Sequence, residues 1–323
     1  MNIKSCLFYL GLSCFPISLM SLINIFYSFY FDNLDSVTSY LSVLILSLLI
    51  GLSFFYLGKS EREKIGIYDQ IFLVFLIYFS ISLLILIPFY LSDYGISFMD
   101  SYFESISGLT GTGFTIFDTI KTLDSPLILW RSSSQWVGGF YFLIFLILIF
   151  SNKQMNFKMV DLTFNLEKKL NFSKNIISVT NRIFLIYLSL SVLIFSLFII
   201  SGIRIFDSLN LTMTVISSGG FLPTDSLNDI IKSNFQSFLL CFSFLASILN
   251  FYLVYNIVFE RSNLKLHNED IYLIILALVF SIIFYFVNDI NLLSVFTNVL
   301  SSIANSGIST SAVPENFGLY FLI

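Results

Sequence analysis

The stretch Ser105-Ile-Ser-Gly-Leu-Thr-Gly-Thr-Gly-Phe-Thr115 decides the fold class predicted for this chain. It completes an amphipathic segment that starts at Met99 and turns into a polar, glycine-containing loop at residues 111–115. A helix of about 12 residues is roughly 18 Å long, whereas the hydrocarbon core of a bilayer is about 30 Å thick. The stretch therefore predicts a half-helix that enters a membrane without crossing it, followed by irregular backbone.

The same pattern occurs twice more in the chain. Ile205–Ile216 precedes Ser217-Ser-Gly-Gly-Phe221, and Asn291–Ile303 precedes Ala304-Asn-Ser-Gly-Ile-Ser309. We call residues 111–115, 217–221 and 304–309 the first, second and third loops. A glycine preceded by a small residue and followed by an apolar residue stands at the same position in each: Gly113 and Phe114, Gly220 and Phe221, Gly307 and Ile308.

Irregular backbone at membrane depth has to be enclosed by protein or line a water-filled cavity. Unpaired N–H and C=O groups cost several kcal/mol in lipid. Three such loops in one chain therefore predict a shared aqueous axis.

The composition agrees with a membrane protein. Of 323 residues, 57% are apolar, 18% aromatic and only 11% charged, and the mean hydropathy is +0.89. A soluble globule carries about a quarter of its residues as charges, so this composition excludes a secreted, disordered or nucleic-acid-binding protein, and no nucleic-acid partner is expected. Cys6, Cys14 and Cys241 form no C-x-x-C pair and indicate neither a disulfide framework nor a metal site.

Seven apolar runs are long enough to cross a bilayer. They lie near 6–31, 39–57, 71–91, 126–151, 183–203, 234–259 and 271–288. With the loops between them, they predict an all-α membrane protein of repeated span, half-helix, span units. The predicted organisation is two leading transmembrane helices (1–69), a first unit (70–160), a second unit (161–262) and an incomplete third unit (263–323).

The positions of the basic residues predict the orientation, because Lys and Arg in short loops stay on the cytoplasmic side. With the N-terminus in the cytoplasm, three basic residues fall outside: Lys121, Arg204 and Lys232. Twelve fall inside: Lys4, Lys59, Arg62, Lys64, Lys153, Lys158, Lys168, Lys169, Lys174, Arg182, Arg261 and Lys265. We therefore predict a multi-pass protein with a cytoplasmic N-terminus.

The loops suit the passage of a cation. A dehydrating ion needs oxygen ligands from fixed directions, and a strand whose carbonyls point one way supplies them without a countercharge. Glycine adopts the required backbone angles most easily. The partially negative C-terminal ends of the half-helices would favour cations over anions, and the apolar residue after each glycine is expected to anchor the strand behind the axis.

The first loop with its half-helix, together with Trp130-Arg131 and Gln135-Trp136-Val137-Gly138-Gly139, resembles the first pore unit of the TrkH/KtrB family of potassium-translocating subunits. Ser218-Gly-Gly-Phe221 and the following Pro223-Thr-Asp225 resemble the second pore loop of that family, and Asn305-Ser-Gly-Ile-Ser309 resembles the third less closely. The likeness covers nearly the whole chain.

This resemblance implies four span–pore–span units around one potassium filter in a bacterial cytoplasmic membrane, and no enzymatic activity. By position, the ion would bind to nine backbone carbonyls: Gly111, Thr112, Gly113, Ser218, Gly219, Gly220, Asn305, Ser306 and Gly307. The resemblance also implies a homodimer and a cytoplasmic nucleotide-binding regulatory subunit of the TrkA/KtrA type. Potassium would be the transported ion, with no cofactor covalently bound.

The chain departs from the family pattern at its end. It stops at Ile323, where Gly318-Leu-Tyr-Phe-Leu-Ile323 starts what should be another span. A ring of three loops leaves one side of the ion uncoordinated, so this chain alone is not expected to conduct. We expect a truncated gene or fragment, with a second polypeptide completing the ring as the alternative.

Other functions stay open at this stage. One is a sodium-coupled or weakly selective cation pathway, because Gly219, Asn305 and Ser306 replace the commoner threonines. Others are an integral membrane transferase, although the spans contain almost no ionisable group, and a nonfunctional remnant of a transporter.

Three secondary features have simpler structural interpretations. We predict that Gly138-Gly139 permits close helix packing, that Arg131 pairs with Glu104 at the outer end of the pore, and that Asp225 is a turn residue.

Overall fold

The computed structural model describes residues 2–61, 66–150, 172–248, 268–287 and 291–309. These residues form ten α-helices and contain no strand. In chain order the helices are α1 (Ile3–Tyr30), α2 (Leu34–Gly58), α3 (Ile67–Tyr90), α4 (Phe98–Thr110), α5 (Ser125–Phe150), α6 (Phe172–Ile200), α7 (Ile205–Ser217), α8 (Asn234–Ile248), α9 (Asn268–Val287) and α10 (Leu292–Ile303). The predicted all-α fold is confirmed.

Four helical stretches in the described part of the chain are long and apolar enough to cross a membrane. They are Ile3–Tyr30, Ser36–Glu61, Tyr68–Tyr90 and Thr180–Ile200. The three predicted half-helices, α4, α7 and α10, are only 13, 13 and 12 residues long. Each follows a longer apolar helix, as the span and half-helix pattern predicts.

Helices α1 and α2 form the leading pair and pack through glycines. A methyl group at Gly11 would lie 2.6 Å from the backbone nitrogen of Phe55, and one at Gly51 would lie 3.1 Å from Cβ of Cys14. The absence of a Cβ lets the two backbones approach closely along their length.

The start of α3 is joined to the start of α1 by Asp69. Its carboxylate accepts hydrogen bonds from the backbone N–H groups of Gly66, at 3.1 Å, and Asn2, at 3.0 Å. Asp69 therefore caps α3 and fixes the leading pair to the first unit. Helix α3 begins at Ile67, slightly before the predicted start of that unit.

Helix α5 lies at the centre of the described structure. The indole N–H of Trp130 donates to the carbonyl of Ile85 on α3 at 2.9 Å, and that of Trp136 donates to Oγ of Ser191 on α6 at 3.0 Å. One helix thus holds spans of the first and second units together.

Several predicted features lie outside the described residues. They are the ends of the spans predicted at 126–151, 234–259 and 271–288, the segment Gly318–Ile323, and the basic residues Arg62, Lys64, Lys153, Lys158, Lys168, Lys169, Arg261 and Lys265. The domain boundaries at 160/161 and 262/263 lie there too, and the predicted division into domains stays a prediction.

Candidate functional site

The three half-helices end in the same way. The first residue after α4 and α7, and the second residue after α10, has a left-handed backbone, with φ of 71° at Gly111, 57° at Ser218 and 58° at Asn305. The next residue in each loop, Thr112, Gly219 or Ser306, then donates its N–H to a carbonyl five residues back, at 3.1, 2.9 and 3.0 Å. This is the hydrogen bond of a Schellman cap. The backbone therefore has the same conformation at the ends of the three half-helices, although their sequences differ.

A second left-handed residue follows two positions later in every loop. Here φ is 75° at Gly113, 83° at Gly220 and 64° at Gly307. Glycine adopts this conformation without the Cβ penalty, which accounts for the residue that the three loops share. The loops therefore have one backbone design, as the shared position of their glycines predicted.

The loops also meet in space. A methyl group at Gly113 would lie 2.5 Å from the carbonyl oxygen of Gly219, and one at Gly220 would collide with the carbonyl oxygen of Ser306. The first loop thus touches the second, and the second touches the third. Each contact joins the glycine of one loop to the middle residue of the next, which is the arrangement of loops around a common axis.

Among the described residues, the first and third loops each have a side that no other residue covers. A methyl group at Gly307 would have no neighbour within 4 Å. Phe114 is 70% exposed, whereas Phe221 and Ile308 are only 2% and 3% exposed. Phe221 and Ile308 are buried, in agreement with the predicted anchoring behind the loop, whereas no described residue packs over Phe114, for which the anchoring stays a prediction.

A cavity of about 430 Å³ lies against the ends of all three half-helices. Its lining includes Gly111, Ser218 and Asn305, with Gly138 and Phe142 of α5 on its wall. The C-terminal end of a helix carries a partial negative charge. Three such ends around one cavity favour a cation within it.

Hydroxyl groups on the half-helices hold two of the loops in shape. Oγ of Ser107 donates to the carbonyl of Phe114 at 2.6 Å, and Oγ1 of Thr214 donates to the carbonyl of Phe221 at 2.5 Å. Ser301 occupies the matching position on α10, where its Oγ lies 3.0 Å from Oγ of Ser306. The sequence reasoning missed these three residues, although a hydroxyl four residues before each left-handed cap was visible in the repeat.

One face of α5 supports the second loop. Arg131, Gln135 and Gly139 are spaced four residues apart and so lie on the same side of the helix. The amide of Gln135 accepts from the N–H of Phe221 at 3.1 Å and donates to the carbonyl of Gly219. A methyl group at Gly139 would lie 2.8 Å from Cβ of Ser217.

The neighbouring face of α5 packs on the first half-helix. A methyl group at Gly138 would collide with the carbonyl of Leu109, and one at Gly108 would collide with Oγ of Ser134. The predicted packing role of Gly138-Gly139 is confirmed, with each glycine serving a different half-helix.

Arg131 and Glu104 form a buried ion pair, as predicted. Nε of Arg131 lies 2.7 Å from Oε1 of Glu104, and the two side chains are 2% and 0% exposed. Oε2 of Glu104 accepts from the N–H of Ile116 at 3.0 Å, and Arg131 donates to Oγ1 of Thr115 at 3.0 Å. The guanidinium also stacks on Phe221, 4.3 Å from the ring centroid. The pair therefore joins the first loop to the second.

Asp225 links the segment that follows the second loop to the segment that follows the first loop. It therefore does more than the turn residue predicted from the sequence. Its Oδ1 accepts from the backbone N–H of Ile120 at 2.6 Å, and its Oδ2 lies 3.6 Å from Nζ of Lys121. Lys121 also reaches Asp229 at 3.1 Å. That hydrogen bond lowers the pKa of Asp229 and raises the pKa of Lys121.

The structure thus brings the three loops that carry the nine predicted site residues into contact, and Gly111, Ser218 and Asn305 line the cavity. Eight of the nine have no recorded side-chain donor on their carbonyl oxygens in the described structure, whereas the carbonyl of Gly219 accepts from Gln135. Whether these carbonyls bind an ion stays a prediction.

The fold and the three converging loops define a membrane protein built of span–pore–span units around a common axis. No family model matches the chain. It is 33% identical over 135 residues to an uncharacterized cation transporter of Methanocaldococcus jannaschii, a match that covers 42% of this chain and 28% of that protein. It is 23% identical over 229 residues to the Trk system potassium uptake protein TrkG of Escherichia coli, which covers 69% of this chain and 46% of that protein.

The crystal structure of the potassium transporter TrkH from Vibrio parahaemolyticus has the same fold. The TM-score is 0.75 at 19% identity, and the match covers 96% of this chain and 66% of that chain. These similarities confirm the resemblance to the TrkH/KtrB family that was inferred from the loops. The chain spans less than half the length of the curated relatives named here and about two thirds of the solved TrkH chain.

Proposed function

We propose that this chain forms most of a pore for potassium uptake across the bacterial cytoplasmic membrane. The observation that carries the proposal is the contact of Gly113 with Gly219 and of Gly220 with Ser306, which supports an arrangement of three loops of one backbone design around one axis. The names of the relatives, a cation transporter and potassium uptake proteins, point to the same class of function.

In this proposal the carbonyls of the nine site residues replace the water shell of the ion. Carbonyl oxygens are neutral, so an ion binds strongly enough to enter and weakly enough to leave. The three helix ends around the 430 Å³ cavity would stabilise a cation that has passed the loops. No covalent chemistry is needed.

The open side between Phe114 and Gly307 would be covered by a fourth loop in the working protein. We propose that this loop comes from further chain, or from a second polypeptide, because three loops leave one side of the ion without ligands. A homodimer and a nucleotide-binding regulatory subunit on the cytoplasmic side are the further partners that the family resemblance suggests.

One observation favours a second candidate, a weakly selective or sodium-coupled cation pathway. Gly219, Asn305 and Ser306 stand in the loops at positions where threonine is commoner by the family resemblance. Measured uptake of sodium and potassium by the same protein distinguishes the two candidates.

Complementation of a bacterial strain without potassium uptake systems tests the proposal. The full-length protein should restore growth at low potassium, and Gly113→Asp should abolish growth while the protein stays in the membrane. Gly95→Asp is the matched control, because Gly95 also has a positive φ, of 65°, but has no neighbour within 4 Å. Equal growth of the wild type and Gly113→Asp would contradict the assignment of the filter.

A further inference from the structure

We propose that Gln135 is a positioning residue that sets the discrimination between potassium and sodium by holding the second loop at a fixed width. This proposal rests on the proposed function. It assigns a specificity role to a side chain that contributes no carbonyl to the pore and belongs to a different unit from the loop it holds.

The contacts of Gln135 are the first step of the argument. The side chain is fully buried, and its Oε1 accepts from the N–H of Phe221 at 3.1 Å and lies 3.2 Å from Oγ1 of Thr214, whose single proton it shares with the carbonyl of Phe221. Its Nε2 donates to the carbonyl of Gly219. One amide therefore fixes the peptide groups on both sides of Gly220.

The second step concerns the freedom of the loop. Gly219 and Gly220 follow one another, and glycine pairs have the least restricted backbone of any dipeptide. A methyl group at Gly219 would collide with the Gln135 side chain, so the loop is pressed against the amide. Without that contact, two consecutive glycines would be free to close around a smaller ion.

The third step is the consequence for selectivity. A filter prefers the larger of two cations when its oxygens are kept from moving inward to contact the smaller one, or when their number and field are kept constant. Both conditions require a restrained loop. In the first and third loops Thr112 and Ser306 occupy the middle position, so the second loop, with Gly219 there, depends most on an external restraint.

The chain contains a matched control for this residue. Gln236 is also buried, accepts from the N–H groups of Lys232 at 2.7 Å and Ser233 at 3.2 Å, and donates to the carbonyl of Ser201 at 3.1 Å. It makes the same kinds of hydrogen bond to backbone, but it holds an outer loop beside α8. Replacing either glutamine by leucine therefore removes comparable bonds at different places.

The experiment measures uptake of radiolabelled rubidium, as a potassium analogue, and of radiolabelled sodium by proteoliposomes that contain the full-length protein. Gln135→Leu should lower the rubidium-to-sodium uptake ratio roughly tenfold, the factor that corresponds to about one lost buried hydrogen bond. Gln236→Leu should leave the ratio within about twofold of the wild type, which is well below the roughly tenfold change expected for Gln135→Leu.

A second pair of variants covers the case in which Gln135→Leu does not fold. Thr214→Val removes the hydroxyl that bonds Oε1 of Gln135 and the carbonyl of Phe221 with almost no change of shape, and should lower the ratio in the same direction. Thr214→Ser keeps the hydroxyl and should restore the wild-type ratio.

The outcomes separate the two proposals. A folded Gln135→Leu or Thr214→Val protein with an unchanged ratio would overturn the role of Gln135 alone. An equal fall in Gln236→Leu would overturn it too, because the effect would then be one of general stability. A wild-type protein that carries neither ion would overturn the proposed function and this inference together.

Discussion

Arg131 and Glu104 show how one buried residue pair can determine the stability of the contact between the first and second loops. Both are buried, and their remaining hydrogen bonds go to Thr115, Ile116 and the carbonyl of Leu222. We expect Arg131→Met to lower the free energy of unfolding by about 3–5 kcal/mol, because Glu104 would keep a buried charge without its partner. Thermal unfolding of the detergent-solubilised protein measures this loss.

The double variant Glu104→Gln/Arg131→Met should recover part of that stability, because no unpaired charge remains. Lys121→Met is the control, since Lys121 is 58% exposed and its pairs with Asp225 and Asp229 are screened by water. Its melting temperature should match that of the wild type. A double variant less stable than Arg131→Met alone would contradict the buried-charge explanation.

Single residues also show which features of the site are predictable from the sequence and which are not. Gly113, Gly220 and Gly307 were predictable because a positive φ restricts the choice of residue strongly. Ser218 and Asn305 have a positive φ as well, but neither residue type requires one. Gln135 stood within a motif that was noticed, yet its contact with Gly219 joins residues 84 positions apart, and no local pattern records such a distance.

Among the elements, α5 has the most demanding position, because two of its faces touch two half-helices. Gly138→Ala would drive a methyl group into the backbone of Leu109, which cannot rotate away as a side chain does. We expect a loss of about 1–3 kcal/mol or more, the usual cost of overpacking, and a lower melting temperature in detergent.

Gly51→Ala in α2 is the matched helical control. Its methyl group would lie 3.1 Å from Cβ of Cys14 and 3.3 Å from the carbonyl of Gly11, contacts that a small shift relieves. The two substitutions should therefore differ clearly in melting temperature. Equal losses would indicate that α5 can move away from α4, contrary to tight packing of these two helices.

The bounds of the helices were the most predictable feature of the fold, and the contacts between elements were the least predictable. The half-helix predicted from Ile205 to Ile216 is observed as Ile205–Ser217, because apolar spacing and the following small residues mark both ends. The environments of Phe114 and Asp225 were not predictable, for a different reason. The burial of Phe114 and the hydrogen bonds of Asp225 depend on which unit packs beside each residue. Local sequence does not encode that packing.

At the scale of the whole molecule, the repeat gave the correct expectation that three loops meet. Self-similar units with a short half-helix have few ways to bury irregular backbone, and convergence on one axis is the simplest. The ion site of nine carbonyls stays a prediction that depends on this convergence. What the repeat could not indicate is the role of α5, which breaks the equivalence of the units by supporting the second loop from the first unit.

The orientation of the molecule gives a prediction that its cysteines make easy to test. Cys6, Cys14 and Cys241 are all buried, so a membrane-impermeant maleimide should label the wild type weakly. The excess of basic residues on one side predicts that Ser60 faces the cytoplasm and Asp118 the outside, and both positions are exposed. Applied to intact cells, the reagent should label Asp118→Cys at once and label Ser60→Cys only after the membrane is permeabilised. Labelling in the reverse order would contradict the predicted orientation and would indicate that the three loops lie on the cytoplasmic side.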